Sequence, residues 1–103
     1  MTFANVGTLG TVPGKRDEVV ALLTRRSSTL AEIGCLLYEV GVSVDQPNTV
    51  FVMELWTSAE AHQASLLRPE VQRAIAEARP LLSGEVGGSR FDVTSGAVGS
   101  TRC

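Results

Sequence analysis

The sequence predicts an α+β domain of the ferredoxin-like, split βαβ type, with an antiparallel four-stranded sheet that carries its helices on one face. Segments typical of strands and helices follow one another as strand, helix, strand, strand, helix, strand. The turn sequence Asp45-Gln46-Pro47-Asn48 makes the two middle strands antiparallel neighbours. The 103 residues fit one domain, which we place at residues 1–95, followed by a C-terminal tail at 96–103.

The first half of the chain contains one strand and one helix. Thr2–Val12 alternates in the manner of a strand, and Pro13-Gly14 ends it. From Lys15 to Ile33, apolar residues recur near the helical period, which predicts one continuous helix. We expect Gly34 to end that helix in a left-handed conformation.

The second half begins with two strands. Cys35–Val44 is the second strand, and Thr49–Trp56 is rich in the β-branched and aromatic residues of a buried strand. Thr57 then has the spacing of a helix N-cap with Glu60 as its capping-box partner. We expect a short helix from this cap to about Leu67.

A further helix and a last strand complete the fold. Pro69 suits the first position of a helix, and Pro80 should disturb its last turn. Glycines punctuate the exit from this helix, and Ser89–Thr94 predicts a short fourth strand. The residues after it have the composition of a weakly ordered tail.

Both faces of the third strand are apolar, and this predicts a homodimer. Val50, Val52 and Trp56 share one face with Glu54, while Phe51, Met53 and Leu55 share the other. The helices can cover only one face of the sheet. A second copy, packed sheet against sheet, would cover the apolar patch that remains.

Composition and cysteine usage narrow the classes of function. The net charge of −2 and the pI near 5.3 argue against nucleic acid or an anionic membrane as partner. No apolar run approaches a membrane span and Met1–Gly10 lacks the features of a signal peptide, so we expect a cytoplasmic protein. We expect Cys35 to be a buried, reduced thiol and Cys103 an incidental terminal one. One histidine and two separated cysteines predict no metal site.

The candidate site lies at the end of the third strand. Trp56 is the only tryptophan, and Glu54 lies two residues before it on the same strand face. An amphipathic ring beside a carboxylate, under a new helix, is suited to line a pocket; the alternative is that Trp56 only fills the core. Asn5 lies on the face of the first strand that also carries Phe3 and Leu9, as a site residue or as an edge residue bonded to backbone.

Three segments, taken in order, resemble one protein family. They are Pro13-Gly14-Lys15, Gly34-Cys35-Leu36-Leu37-Tyr38, and Glu54-Leu55-Trp56-Thr57-Ser58-Ala59-Glu60-Ala61. Together they are similar to the antibiotic biosynthesis monooxygenase family, across about Thr8–Leu82. The resemblance implies a dimeric α+β barrel. Similar chains include cofactor-independent oxygenases of aromatic polyketides and quinols, haem-degrading enzymes, an isomerase and members of no assigned activity.

The resemblance carries over to individual positions. Trp56 matches the pocket tryptophan of the family, and Asn5 matches an asparagine of the first strand in several oxygenases and haem degraders. The histidines that many relatives carry are replaced here by Ser65, Leu66 and Glu70. The single histidine, His62, lies a turn earlier, so haem bound through the usual position is disfavoured and no cofactor is expected.

These features lead to one main hypothesis and two alternatives. The hypothesis is a cofactor-free monooxygenase that uses O₂ to oxidise a small phenolic or quinol-like aromatic molecule. Its expected catalytic residues are Asn5, Trp56 and His62, and its expected substrate-binding residues are Tyr38, Glu54 and Arg79. His62 is the candidate general base because imidazole exchanges protons near neutral pH. Arg79 would stabilise an anion, or is only a solvated charge. The alternatives are a non-catalytic ligand-binding dimer and a haem-binding relative.

Overall fold

The computed structural model describes residues 1–25 and 29–95, which form one four-stranded antiparallel sheet with helices against it. The strands are β1 (Thr2–Thr11), β2 (Cys35–Val42), β3 (Thr49–Trp56) and β4 (Leu82–Val93). Their order across the sheet is β2-β3-β1-β4, so β3 and β1 are central and β2 and β4 are edges. This is the predicted ferredoxin-like α+β arrangement. The expected tail, with Cys103, lies outside the described residues.

The helices lie over one face of the sheet, mainly above β2 and β3. They are α1 (Arg16–Leu23), α2 (Thr29–Glu32), α3 (Ala59–Ser65) and α4 (Pro69–Ala78), followed by a 3₁₀-helix at Arg79–Leu81. The core lies between these layers, where Val19 and Val50 are fully buried and Trp56 is 1% exposed. No helix in the described part of the chain is both long and apolar enough to cross a bilayer.

The expected continuous helix from Lys15 to Ile33 is wrong. α1 ends at Leu23, so Thr24 and Arg25 are not helical, and the part of the predicted helix at residues 26–28 lies outside the described residues. At this end the Thr24 hydroxyl donates a 2.7 Å hydrogen bond to the Val20 carbonyl, so a side chain competes for the helical acceptor. Gly34 does end the helical region in a left-handed conformation, with φ of +106°. A side chain there would also meet Thr57, which explains the choice of glycine.

The N-cap of α3 is Ser58 and not Thr57. The Ser58 hydroxyl oxygen accepts a 3.0 Å hydrogen bond from the Ala61 backbone N–H. The Thr57 backbone N–H, which the predicted capping box needed as its second donor, instead donates to the Gly34 carbonyl at 2.9 Å. A tertiary contact between the start of β2 and the end of β3 therefore moves the cap by one residue.

The fourth strand is much longer than the predicted Ser89–Thr94. β4 begins at Leu82 and runs through all the glycines that suggested an irregular exit. Gly84 and Gly88 have positive φ values of +98° and +138°, which glycine adopts without strain. A side chain at Gly88 would collide with the Val6 carbonyl oxygen, so the close pairing of β4 with β1 requires glycine at this position.

Other element boundaries follow the sequence more closely. β3 spans Thr49–Trp56 as predicted, and Pro69 is the first residue of α4. The last turn changes to a 3₁₀-helix around Pro80, as expected from the missing N–H of proline. β2 ends at Val42 and not at Val44, because the Ser43 hydroxyl accepts hydrogen bonds from the backbone of the next turn.

The face of the sheet away from the helices carries large apolar side chains. Phe51 is 42% exposed, Met53 is 48% exposed and Phe91 is 50% exposed. The strand register places all three on the face that also carries Leu55 and Ala4. We call Phe51, Met53 and Phe91 the open sheet face.

Candidate active site

Glu54 is the centre of a largely buried polar cluster between the sheet and the helices. Its Oε2 accepts a 2.7 Å hydrogen bond from Nδ2 of Asn5, and its Oε1 accepts a 3.1 Å bond from Nε1 of Trp56. A carboxylate placed this deep needs such donors, because burying an unpaired charge costs several kcal/mol. The sequence-based alternative for Asn5, an edge residue bonded to backbone, is therefore wrong.

His62 completes this cluster from α3. Its Nε2 lies 3.8 Å from Oε1 of Glu54, which is beyond hydrogen-bond distance but within ion-pair distance when the imidazole is protonated. The imidazole lies edge-on to the Trp56 ring and tilted against the Phe3 ring, with centroid distances of 5.5 Å in both cases. His62 is only 7% exposed, so it is not a surface histidine. We call Asn5, Glu54, Trp56 and His62 the Glu54 cluster.

Strand pairing extends this cluster into a row across the whole sheet. Tyr38 pairs with Glu54, Glu54 with Asn5, and Asn5 with Arg90 on β4. Directly opposed residues of neighbouring strands share a face, so these four side chains all project to the helix side of the sheet. The next row is Val40, Val52, Gly7 and Gly88. On β1 and β4, the residues next to the polar row are therefore Gly7 and Gly88, which have no side chains.

Tyr38 remains protonated over the physiological pH range. Burial is the largest cause that raises the pKa of its phenol to about 12, and the negative charges of Glu54 and Cys35 add to the shift. A phenol with so high a pKa cannot serve as a base near neutral pH. In this position Tyr38 supplies an aromatic wall and a hydrogen-bond donor.

Cys35 lies beside the same cluster, in register with Trp56. We expected a buried thiol, but Cys35 is only half-buried. Its Sγ lies 3.5 Å from the Leu37 carbonyl oxygen. An irregularity in the pairing of β2 with β3 at this point leaves the residue partly open to solvent. Burial nevertheless raises the pKa of the Cys35 thiol, which favours the neutral form.

An open depression lies on the β4 side of the row. It has a volume of about 300 Å³ and is lined by Asn5, Arg90 and the segment Val86–Ser89. Asn5 is thus the one residue that both lines this depression and bonds to Glu54. Trp56, which the sequence suggested as a pocket residue, does not line this depression. Its side chain is 1% exposed, in agreement with the alternative that it fills the core.

Arg79 is the predicted site residue that the structure keeps apart from the others. It is exposed and belongs to the 3₁₀-helix, whose Leu81 carbonyl accepts a 2.9 Å bond from the N–H of Val12. Val12 is seven residues along the chain from Asn5, or about 23 Å at the usual rise of a strand. This position fits the alternative interpretation, in which Arg79 is only a solvated charge.

Arg90 is the residue that the sequence interpretation missed. The prediction began the fourth strand at Ser89, so neither its register with β1 nor the glycine-lined depression could be derived. The available signal was a cation within a strand-like segment that alternates polar and apolar residues, which is also typical of a solvated edge strand. Within residues 1–25 and 29–95, no group of three or more His, Cys, Asp or Glu side chains is placed to hold a metal ion.

Comparison with known proteins agrees with this architecture. The family model described as antibiotic biosynthesis monooxygenase matches residues 2–77. A crystal structure from Chloroflexus aurantiacus, provisionally named for the same family, is 34% identical; the match covers 93% of this chain and 98% of that chain, with a TM-score of 0.77. No curated protein matches the chain.

More distant structures share the fold. A protein from Caulobacter crescentus is 23% identical over 91% of both chains, with a TM-score of 0.77. One from Deinococcus radiodurans is 23% identical over 93% of this chain and 95% of that chain, with a TM-score of 0.73. Both carry the same provisional family name. Because the family model spans more than half of the sequence, the chain belongs to the antibiotic biosynthesis monooxygenase family.

Proposed function

We propose that the protein is a cofactor-independent monooxygenase that oxidises a small phenolic or quinol-like aromatic molecule with O₂. Family membership supports the reaction class. The observation that carries the proposal is the double role of Asn5, which lines the open depression and is hydrogen-bonded to the buried carboxylate of Glu54. A substrate in the depression therefore meets an amide that is already oriented.

The chemistry balances without a metal or flavin. A deprotonated quinol passes an electron to O₂, and the two radicals combine to form a carbon–oxygen bond at the ring. Loss of water from the resulting hydroperoxide gives a hydroxyquinone. One oxygen atom thus enters a C–H bond and the other leaves as water, and the substrate supplies all four electrons that reduce O₂.

Asn5 is proposed to stabilise the substrate anion. Because an ionised carboxylate only accepts hydrogen bonds, Glu54 fixes the Nδ2 group of Asn5 toward itself. Among the described residues the second N–H of that group has no other acceptor, so it is left to donate to a substrate oxygen. A preorganised donor of this kind stabilises the developing charge without reorganisation during the reaction.

His62 is proposed to take the substrate proton, with Glu54 beside it to stabilise the imidazolium. The 3.8 Å separation of Nε2 and Oε1 suits that pair. Neither side chain lines the depression, so direct contact with a substrate needs the space beneath α3 to open. Trp56 would then face the edge of the substrate that carries the ionising hydroxyl group, and Tyr38 would bound the same space from β2.

Oxygen consumption with a panel of quinols tests this function. We expect the wild-type protein to exceed the rate of spontaneous autoxidation. We expect Asn5→Ala to lower the rate about 10²-fold, as for loss of one oxyanion donor, and His62→Ala to lower it by about 10²-fold or more. Arg73→Gln, on the exposed surface of α4, is the matched control and should not change the rate.

A rate equal to autoxidation with every quinol, from a folded protein, would overturn the enzymatic proposal. Saturable quenching of Trp56 fluorescence by the same quinols would then identify a ligand-binding protein. A Soret band on addition of haemin, abolished by His62→Ala, would identify a haem-binding protein.

The active form is proposed to be a homodimer that buries the open sheet face. Isolated, this face leaves three large apolar side chains between 42% and 50% exposed. A second copy, packed through the same surface, removes them from water. Sedimentation should show a dimer at micromolar concentration, and Met53→Glu should dissociate it. A stable wild-type monomer under these conditions would contradict the proposal.

A further inference from the structure

We propose that Arg90 determines substrate specificity by binding an acidic group, so that the preferred substrate is a hydroxyaromatic carboxylate. This inference rests on the proposed function, because it specifies the substrate of the same depression. It assigns the hydroxyl group to Asn5 and the carboxylate to Arg90.

The register places these two residues side by side. Asn5 and Arg90 are directly opposed on β1 and β4, and both line the depression of about 300 Å³. Cα atoms of directly opposed residues are about 4.5–5.5 Å apart. A hydroxyl and a carboxylate on one aromatic ring are therefore close enough to contact both side chains.

The surroundings of the two side chains leave room for a ring. The neighbouring row on this side consists of Gly7 and Gly88, so no side chain fills the floor of the depression. Position 88 requires glycine because its φ is positive and because an added Cβ would collide with the Val6 carbonyl oxygen. The volume is at the small end of the range for ligand pockets, which favours substrates of one or two rings.

The charges around Arg90 leave its guanidinium available. Two carboxylates project from the same face of the sheet: Asp92, two residues further along β4, and Glu54, beyond Asn5. Neither forms an ion pair with Arg90 among the described residues, and Glu54 already accepts bonds from Asn5 and Trp56. A guanidinium presents paired N–H donors that match a carboxylate in bidentate geometry.

Calorimetric titration with gentisate and hydroquinone tests the assignment. The two molecules share the quinol ring, and gentisate adds one carboxylate. We expect Arg90→Gln to weaken gentisate binding by about 10-fold to 100-fold, as for loss of a charge-assisted hydrogen bond, and to leave hydroquinone binding unchanged. Arg90→Lys should restore part of the affinity for gentisate. Arg73→Gln should change neither ligand.

Several results would overturn the inference. Gentisate that does not bind the wild-type protein, or binds Arg90→Gln equally well, removes the role of Arg90. Equal loss of gentisate and hydroquinone binding in Arg90→Gln shows that the residue only maintains the strand.

Oxygen consumption separates this inference from the proposed function. If the wild-type protein oxidises hydroquinone but shows no Arg90-dependent binding of gentisate, the inference fails and the monooxygenase stands. If gentisate binds through Arg90 but no quinol in the panel consumes oxygen, the monooxygenase fails and a site for hydroxyaromatic acids remains.

Discussion

The two sides of Asn5 have opposite physical character. On the β3 side, its amide meets a carboxylate that is already bonded to Trp56 and lies next to His62, with both rings almost fully buried. On the β4 side, its neighbours are an exposed arginine and a strand rich in glycine. The first side has its hydrogen bonds formed and its volume filled, whereas the second offers donors and open space.

This difference follows from the position of each strand in the sheet. β3 is a central strand beneath α1 and α3, so its polar side chains need partners within the protein. β4 is an edge strand and is exposed along most of its length. We infer that the buried side maintains the fold, orients Asn5 and holds the proposed base His62, while the open side receives the ring of the ligand. Single substitutions on either side of Asn5 can test that division.

Trp56→Ala should cause the largest loss of stability. The ring is 1% exposed and packs against His62, so its removal leaves a cavity and should lower the free energy of unfolding by about 3–5 kcal/mol. Urea unfolding followed by circular dichroism measures this, since the variant lacks the only tryptophan. Arg90→Ala on the open side should change stability by less than about 0.5 kcal/mol. Similar losses for both variants would contradict the division.

Glu54→Gln should lower stability by a smaller amount. Two donors, from Asn5 and Trp56, point at the carboxylate, and a glutamine offers only one oxygen to accept them. One buried donor then lacks a partner, at a cost of about 1–3 kcal/mol. Glu32→Gln, an exposed residue of α2, is the control in the same urea titration. A neutral result for Glu54→Gln would show that the cluster does not need its charge.

Tyr38 should make stability depend on alkaline pH. Its pKa is raised to about 12 in the folded protein from an unfolded value near 10, mainly by burial. The unfolded chain therefore loses this proton first as the pH rises. The stability that the neutral phenol contributes should be fully present below about pH 10 and be lost between about pH 10 and pH 12.

The difference in stability between the wild-type protein and Tyr38→Phe, measured across this pH range, isolates the effect. Because the chain has a single tyrosine, tyrosinate absorbance reports the same pKa directly. Glu54→Gln should lower that pKa, since the negative charge of Glu54 contributes to the shift. A difference that stays constant from pH 9 to about pH 12 would be inconsistent with a buried phenol.

Arg79→Gln should have the smallest effect of these changes. Its side chain is exposed and belongs to the 3₁₀-helix near the far end of β1 from the cluster. We expect stability within about 0.5 kcal/mol of the wild-type value and gentisate binding as in the wild-type protein. Weaker gentisate binding by this variant would show that Arg79 also belongs to the site, and that Arg90 is not distinct from it.

The sequence was sufficient to predict the strands and helix ends that depend on residues close together in the chain. The alternation and β-branched content of Thr49–Trp56 define β3, and the conformational preferences of Gly34 and Pro69 define one helix end and one helix start. Alternation within β3 also placed Glu54 and Trp56 on one face. The family resemblance supplied the role of Asn5, and His62 was a candidate because it is the only histidine.

The features that depend on pairing between distant segments were set by tertiary contacts. The bond from Thr57 to Gly34 moved the cap of α3, and pairing with β1 made a continuous strand of the glycine-rich segment Leu82–Val93. The same register put Arg90 beside Asn5, whereas Arg79 lies elsewhere. Periodicity within a segment shows which face a side chain occupies. The residue that lies opposite this side chain on the neighbouring strand is set by backbone hydrogen bonds between segments that are remote in sequence.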